Sequence, residues 1–207
     1  MTNKFTTMAL AISSCFASAS VFAEEDTRVL SPVVVTATRV EQDSFDLPMS
    51  IDKVERQNID NQLRMTLSES LARIPGITAQ NRNQMAQDPQ SSSRGFGARS
   101  SFGVRGIRVY VDGIPLSMPD GIGNPGSVDL DAIGSIEVMR GPFSAMYGNS
   151  SGGVIQLLTK RPSETPVVGA DILYGSFKTR RESIEASGTT GGIEYSLNLS
   201  DYSSNGF

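Results

Sequence analysis

The chain has 207 residues, 18 of them basic and 22 acidic for a formal charge of −4, with no His, no Trp and a single Cys, Cys15. A charge so close to balance creates no global field for nucleic acid. Without His, and with one Cys, the chain holds no His general base, no Ser-His-Asp triad, no His or Cys zinc site and no internal disulfide. The length allows one or two domains.

Residues 1–23 read as a secretory signal peptide. Lys4 supplies a positive start, 5–16 is apolar apart from Thr and Ser, and Val21-Phe22-Ala23 places small or modest residues ahead of Glu24-Glu25-Asp26. The run is too short and too Ser-rich for a spanning helix. Cleavage as a lipoprotein at Cys15, after Ile12-Ser13-Ser14, is a competing route. Residues 26–43 have no helical periodicity; Val33-Val34-Val35-Thr36 favours extended backbone, and Pro32 keeps its neighbour out of the helical region. By pattern alone this is an N-terminal edge strand.

A first strand is expected over 49–54. Thr66-Leu67-Ser68-Glu69 has the form of a capping box opening a helix over 67–74, with Leu67, Leu71 and Ile74 on one face. Pro75-Gly76 ends it, and Ile77-Thr78-Ala79 resumes as strand. Residues 81–108, rich in Gly, Ser, Gln and Arg, read as one long polar loop, a length that in compact domains goes with function or disorder. Asp112-Gly113 between Val109-Tyr110-Val111 and Ile114-Pro115-Leu116 predicts a tight hairpin. A Pro/Gly loop over 117–127 follows, on the side of the sheet that carries the Arg-rich segment. Asp129-Leu130-Asp131 suggests a calcium loop only briefly, because its twelfth position is Arg140 rather than Glu, so no metal site is expected.

Residues 135–160 organise the rest. Ile136 and Val138 alternate with Glu137 and Met139 as a half-buried strand, and Gly141-Pro142 breaks it. Ser144 to Tyr147 fits one helical turn closed by Gly148-Asn149, and Gly152-Gly153 re-aims the chain into the β-rich run 154–159. After Pro162 the pattern becomes strict alternation. Val168, Ala170, Ile172 and Tyr174 share a face, then Ile184 and Ala186, then Ile193, Tyr195, Leu197 and Leu199, with 187–192 as a tight turn. Apolar-out, polar-in strands joined by short turns fit a transmembrane β-barrel, and equally a soluble meander.

The wording of the central stretch decides between these. Glu137-Val138-Met139-Arg140-Gly141-Pro142, Ser144-Ala145-Met146-Tyr147-Gly148, Gly152-Gly153-Val154-Ile155 and Thr159-Lys160 together resemble the plug signature of TonB-dependent outer-membrane receptors. The phrases 71–77 (LARIPGI), Arg94-Gly95-Phe96 and Val111-Asp112-Gly113 also resemble that pattern. The resemblance implies an α+β plug domain, a small mixed sheet with short helices, followed by the first antiparallel strands of an incomplete transmembrane β-barrel. Its divisions are a signal peptide over 1–23, a periplasmic tether over 24–44, the plug over 45–162 and a truncated barrel start over 163–207.

Within that frame Ser31, Pro32, Val33, Val34, Val35, Thr36, Ala37 and Thr38 look like a TonB box, bound as an added strand by the periplasmic coupling protein TonB and its inner-membrane energising complex. Arg94 and Arg140 match plug arginines that lock onto barrel glutamates in relatives, partners that would lie beyond residue 207. Arg82, Arg99, Arg105, Met118 and Asp120 fall on loops that the resemblance turns toward the ligand, most often a ferric siderophore. No cofactor, no nucleic acid and no enzymatic activity are implied. The implied place is the outer membrane of a Gram-negative bacterium, with plug and box facing the periplasm. Barrels of this type have roughly 22 strands, so the chain reads as an N-terminal fragment unable to transport alone. The competing class is a non-transporting surface protein, such as an adhesin or a passive porin, which has no use for a TonB tether.

Overall fold

In a computed structural model, the structure describes residues 34–35, 42–43, 49–80, 88–101, 103–118, 122–141, 144–148 and 150–206. The signal peptide with Cys15, the tether residues Ser31, Pro32, Val33, Thr36, Ala37 and Thr38, and the loop residues Arg82 and Asp120 lie outside them.

The first pairing is β1 (Val34–Val35) with β2 (Gln42–Asp43), antiparallel, Val34 opposite Asp43. Among the described residues this two-stranded ribbon joins no larger sheet. The chain then enters β3 (Ser50–Glu55), the short helix α1 (Arg56–Asp60) and α2 (Leu67–Leu71). The capping box at the start of α2 works as the sequence predicts. Glu69 reaches back to the backbone N–H groups of Arg64, Met65 and Thr66 at 3.2, 3.1 and 3.2 Å, satisfying donors that the helix start leaves free. The regular helix stops at Leu71, short of the expected residue 74, but Leu67, Leu71 and Ile74 are all buried as the spacing requires.

After β4 (Ile77–Gln80) the structure departs from a single polar loop. Residues 90–93 form β5 (Gln90–Ser93), antiparallel to β4, and Val104–Arg105 form β6, parallel to β5. β7 (Ile107–Val111) and β8 (Ile114–Pro115) make the expected hairpin, with Asp112 and Gly113 both at positive φ, 47° and 82°. β9 (Ile122–Gly123) then closes a second sheet in the order β4-β5-β6-β9. The Ser and Gln residues of β5 carry no apolar alternation, and β6 and β9 are two residues each, so these strands leave no periodic signal in the sequence.

The main sheet has the order β3-β10-β11-β7-β8, with β10 (Ile133–Arg140) in the interior and β11 (Gly153–Thr159) beside it. Between them lies α3 (Ser144–Tyr147), the single helical turn predicted there. β10 and β11 are antiparallel, Val138 facing Ile155, so the stretch is a hairpin with a helical turn in its loop. The half-buried reading of β10 is corrected here. Ile136 and Val138 join the core with Val54, Val109, Ile155 and Leu157, under Ile59, Leu67 and Leu71 from the helices. Met139 on the other face is also fully buried, packed with Val154, Ile51, Tyr110 and Tyr147, and so is Glu137. An interior strand covered on both faces takes apolar residues at successive positions, which breaks the period of two. Each such side chain contributes about 1.5–3 kcal/mol by leaving water. Gly153 is required at the start of β11, since with φ at 127° a Cβ there would lie 2.3 Å from the Met139 carbonyl oxygen.

β12 (Val167–Tyr174), β13 (Arg180–Thr190) and β14 (Ile193–Ser203) form a separate antiparallel meander. β13 runs four residues further than the expected turn allows, leaving only Gly191-Gly192, both at positive φ, between the strands. Val168, Ala186 and Leu197 stand directly opposite one another, as do Ala170, Ile184 and Leu199. Directly opposed residues share a face, and on this one Val168, Ile172, Tyr174, Ile184, Leu197 and Leu199 stand open, with Glu182 and Arg180 opposite Ile172 and Tyr174 at one end. Among the described residues no helix is long and apolar enough to cross a membrane.

Candidate functional site

The other face of the meander is polar and lies against the mixed-sheet unit. Arg181, Ser183 and Glu185 on β13 alternate with the outward residues, and Asp171 and Ser200 stand directly opposite Ser183. Arg181 is 4% exposed and donates to Asp131, which is 2% exposed. Asp131 is aimed by its own loop, because the Asp129 carboxylate accepts the Asp131 backbone N–H at 2.9 Å. The second oxygen of Asp129 accepts from Ser200 of β14 at 3.1 Å. Lys160, at the exit of the mixed-sheet unit, pairs with Glu185.

A third body meets the same carboxylate. Arg64, in the turn between α1 and α2, is held at a left-handed φ of 57°. Its Nη1 lies 3.0 Å from Asp131 and its Nη2 2.6 Å from Asp171 of β12. Arg56, on α1, donates to the carbonyls of Leu130, Asp131 and Ile133 at 2.9, 3.2 and 2.6 Å, gripping the loop that carries Asp131. Asp131 is thus shared by an arginine of the helical segment and an arginine of the meander. A buried ion pair is held against its desolvation cost only when geometry and extra hydrogen bonds are good; here one carboxylate oxygen accepts a hydrogen bond from Arg181, while the other faces Arg64 at ion-pair distance with no hydrogen-bond partner among the described residues. A polar cleft of about 250 Å³ opens beside it, lined among others by Arg56, Asp60, Lys160 and Glu185. In the sequence Asp129 and Asp131 stand out only as a rejected calcium loop, and the arginines not at all. The available signals were an Arg on the polar face of an alternating strand and an Asp between Leu130 and Ile133.

The two arginines expected to form a lock come together elsewhere. Arg140, at the end of β10, lies 2.6 Å from Asp52 of β3 and donates to the Pro75 carbonyl at 2.7 Å. Arg94 is exposed, and its backbone N–H donates to the Gly76 carbonyl at 2.9 Å. Both therefore meet at the Pro75-Gly76 corner that ends the helical segment. A Cβ on Gly76 would lie 3.7 Å from Arg94 Cγ and 3.8 Å from Arg140 Nη1. Among the expected ligand-loop residues, Arg105 pairs with Ile122 across β6 and β9, and the Met118 N–H donates to the Ile122 carbonyl at 2.8 Å. Those two share a strand edge. Arg99 is exposed on the preceding loop, and Asp88 ties that region to Gly126 at 2.8 Å. Among the described residues there is no cluster of carboxylates, Cys or His able to hold a metal.

Residues 43–154 match the family model of the TonB-dependent receptor plug domain. The chain is 30% identical over 156 residues to an iron-regulated outer membrane virulence protein of Vibrio cholerae, covering 71% of this chain and 22% of that protein. It is 30% identical over 149 residues to a hemin receptor of Yersinia enterocolitica, covering 71% and 20%. The chain thus spans about a fifth of the length of the curated relatives it matches. Among solved structures it resembles the pyoverdine outer membrane receptor FpvA of Pseudomonas aeruginosa, with a TM-score of 0.68 at 24% identity over 87% of this chain and 26% of that one. The alcaligin outer membrane receptor FauA of Bordetella pertussis gives 0.65 at 22% identity over 82% and 29%.

Proposed function

Since the chain belongs to the TonB-dependent receptor plug family, one of transport receptors and not of enzymes, we propose that it supplies the plug and first wall strands of a receptor importing a ferric chelate, a siderophore, across the outer membrane. The single observation that carries this reading is the two-sided meander. Its polar face is tied to the plug through Asp131 and Arg181, while its opposite face carries an exposed apolar patch of Val168, Ile184, Leu197 and Leu199. A strand pair polar toward a plugged lumen and apolar outward fits a barrel wall facing lipid acyl chains. The relatives that bind pyoverdine, alcaligin and hemin support an iron chelate as the cargo class.

In this reading Ser31, Pro32, Val33, Val34, Val35, Thr36, Ala37 and Thr38 engage TonB in the periplasm. The separateness of the β1–β2 ribbon suits that role, because releasing it breaks no pairing inside the plug. Arg94 and Arg140 serve as a lock toward barrel carboxylates. Arg140 Nε is buried with no hydrogen-bond partner among the described residues, which leaves a donor for that contact. Arg82, Arg99, Arg105, Met118 and Asp120 contribute to the ligand-facing loops. Co-precipitation of the chain with the periplasmic domain of TonB tests the tether: wild type binds, and Val34→Pro, which bars strand pairing there, does not. Binding unaffected by the substitution removes the box assignment and favours a passive surface protein.

A further inference from the structure

We propose that Asp131 is an asymmetric latch between plug and wall, in which Arg181 is the permanent partner and Arg64 the releasable one. The inference rests on the import reading above and specifies which part of the plug can move. It is carried by the charge arrangement around one carboxylate. Asp131 has Arg64 at one oxygen and Arg181 at the other. The second arm of Arg64 meets Asp171, whose side chain is half exposed.

If the segment carrying Arg64 moves away, Asp131 remains neutralised by Arg181 and Asp171 passes to water. No buried charge is stranded. If Arg181 is lost instead, the buried wall contact goes with it, and uncompensated buried charge is what makes breaking such a pair strongly unfavourable. Two further observations point the same way. Arg64 holds a left-handed backbone that only surrounding contacts maintain in a non-Gly residue. The segment 50–80 that contains it joins both plug sheets only at their edges, β3 pairing with β10 alone and β4 with β5 alone. It can therefore separate by opening one strand pair in each sheet, β3–β10 and β4–β5, while β10–β11 and β5–β6 stay closed. Besides the Arg64 pairs, the ties that must yield are Arg56 on three neutral carbonyls, Asp52 and the Pro75 carbonyl on Arg140, the Gly76 carbonyl on the Arg94 N–H, and the core contacts of Ile59, Leu67, Leu71 and Ile74.

Hydrogen–deuterium exchange on the full 207-residue chain in detergent micelles tests the latch. Arg64→Met is expected to speed exchange of amides 56–71 by about tenfold or more, the effect of losing charge-assisted hydrogen bonds, while β10 and β13 stay as protected as in wild type. Arg64→Lys keeps the charge but cannot span two carboxylates, so it should fall between the two. Arg181→Met should speed exchange throughout β12–β14 and in 129–133. Equal deprotection of β13 by Arg64→Met and Arg181→Met overturns the proposal, as does an Arg64→Met profile identical to wild type. The measurement involves neither TonB nor ligand, so the latch can fail while TonB binding stands. Loss of TonB binding, conversely, leaves the exchange result unaffected.

Discussion

Replacing Asp131 by Asn keeps the size and one acceptor oxygen but deletes the charge that two arginine side chains share, at 5% and 8% exposure. Breaking a buried ion pair by removing one partner costs about 3–5 kcal/mol. Part of that is recovered, because the Asn oxygen still accepts one hydrogen bond, while the guanidinium groups of Arg64 and Arg181 are left facing each other. The expected loss is therefore about 3–4 kcal/mol, the larger part coming from stranded positive charge. The control is Asp171→Asn. That carboxylate is half exposed, its pair with Arg64 is screened by water, and its loss should cost about 0–1 kcal/mol. Urea unfolding in detergent micelles, followed by far-UV circular dichroism, gives both values at equal slope. If the two variants fall within 1 kcal/mol of each other, a threshold set by that exposed-pair range, the buried carboxylate is not what fastens plug to wall.

Three further outcomes follow from single contacts. Gly153→Ala places a Cβ against the Met139 carbonyl at a positive φ, so it should destabilise by about 3 kcal/mol or more and lower the yield of folded chain seen by limited proteolysis. Asp112→Ala removes acceptors for the Thr159 backbone N–H at 2.9 Å and its hydroxyl at 2.8 Å, and strips a turn-forming side chain from a left-handed position. A loss of about 1–3 kcal/mol is expected, and Asp112→Asn should retain part of it. Ile184→Lys, in the middle of the outward apolar face, should cost about 2–4 kcal/mol of bilayer insertion, whereas Ser183→Thr on the inward face should leave insertion unchanged. Partition of the chain between membrane and urea-extractable fractions measures both.

The local devices could be read directly from the residues because each is complete within a few positions. Asp112-Gly113 dictates its own turn through backbone freedom at two residues, and Glu69 caps α2 from three residues away. The alternation after Pro162 repeats at every second position, so it gives three strands and their outward faces without any partner being known. The motif over 137–160 was likewise sufficient to place the chain in its family. The strands of residues 90–105 were not legible, since Ser and Gln pair through backbone groups that every residue carries alike. Nor was the two-sided burial of β10, because whether Glu137 meets water depends on β3 and β11 lying against its strand rather than on its neighbours in sequence.

The latch was the least accessible feature. Asp131 and Arg181 lie 50 positions apart, and the Asp129-Leu130-Asp131 pattern pointed only to a rejected metal loop, not to a partner on another strand. Sequence alone determined which short segments turn, cap and alternate, because those preferences act between residues close along the chain. Only the tertiary structure decided which charges leave water and in whose company, because the energy of a buried carboxylate is set by what other segments bring to it.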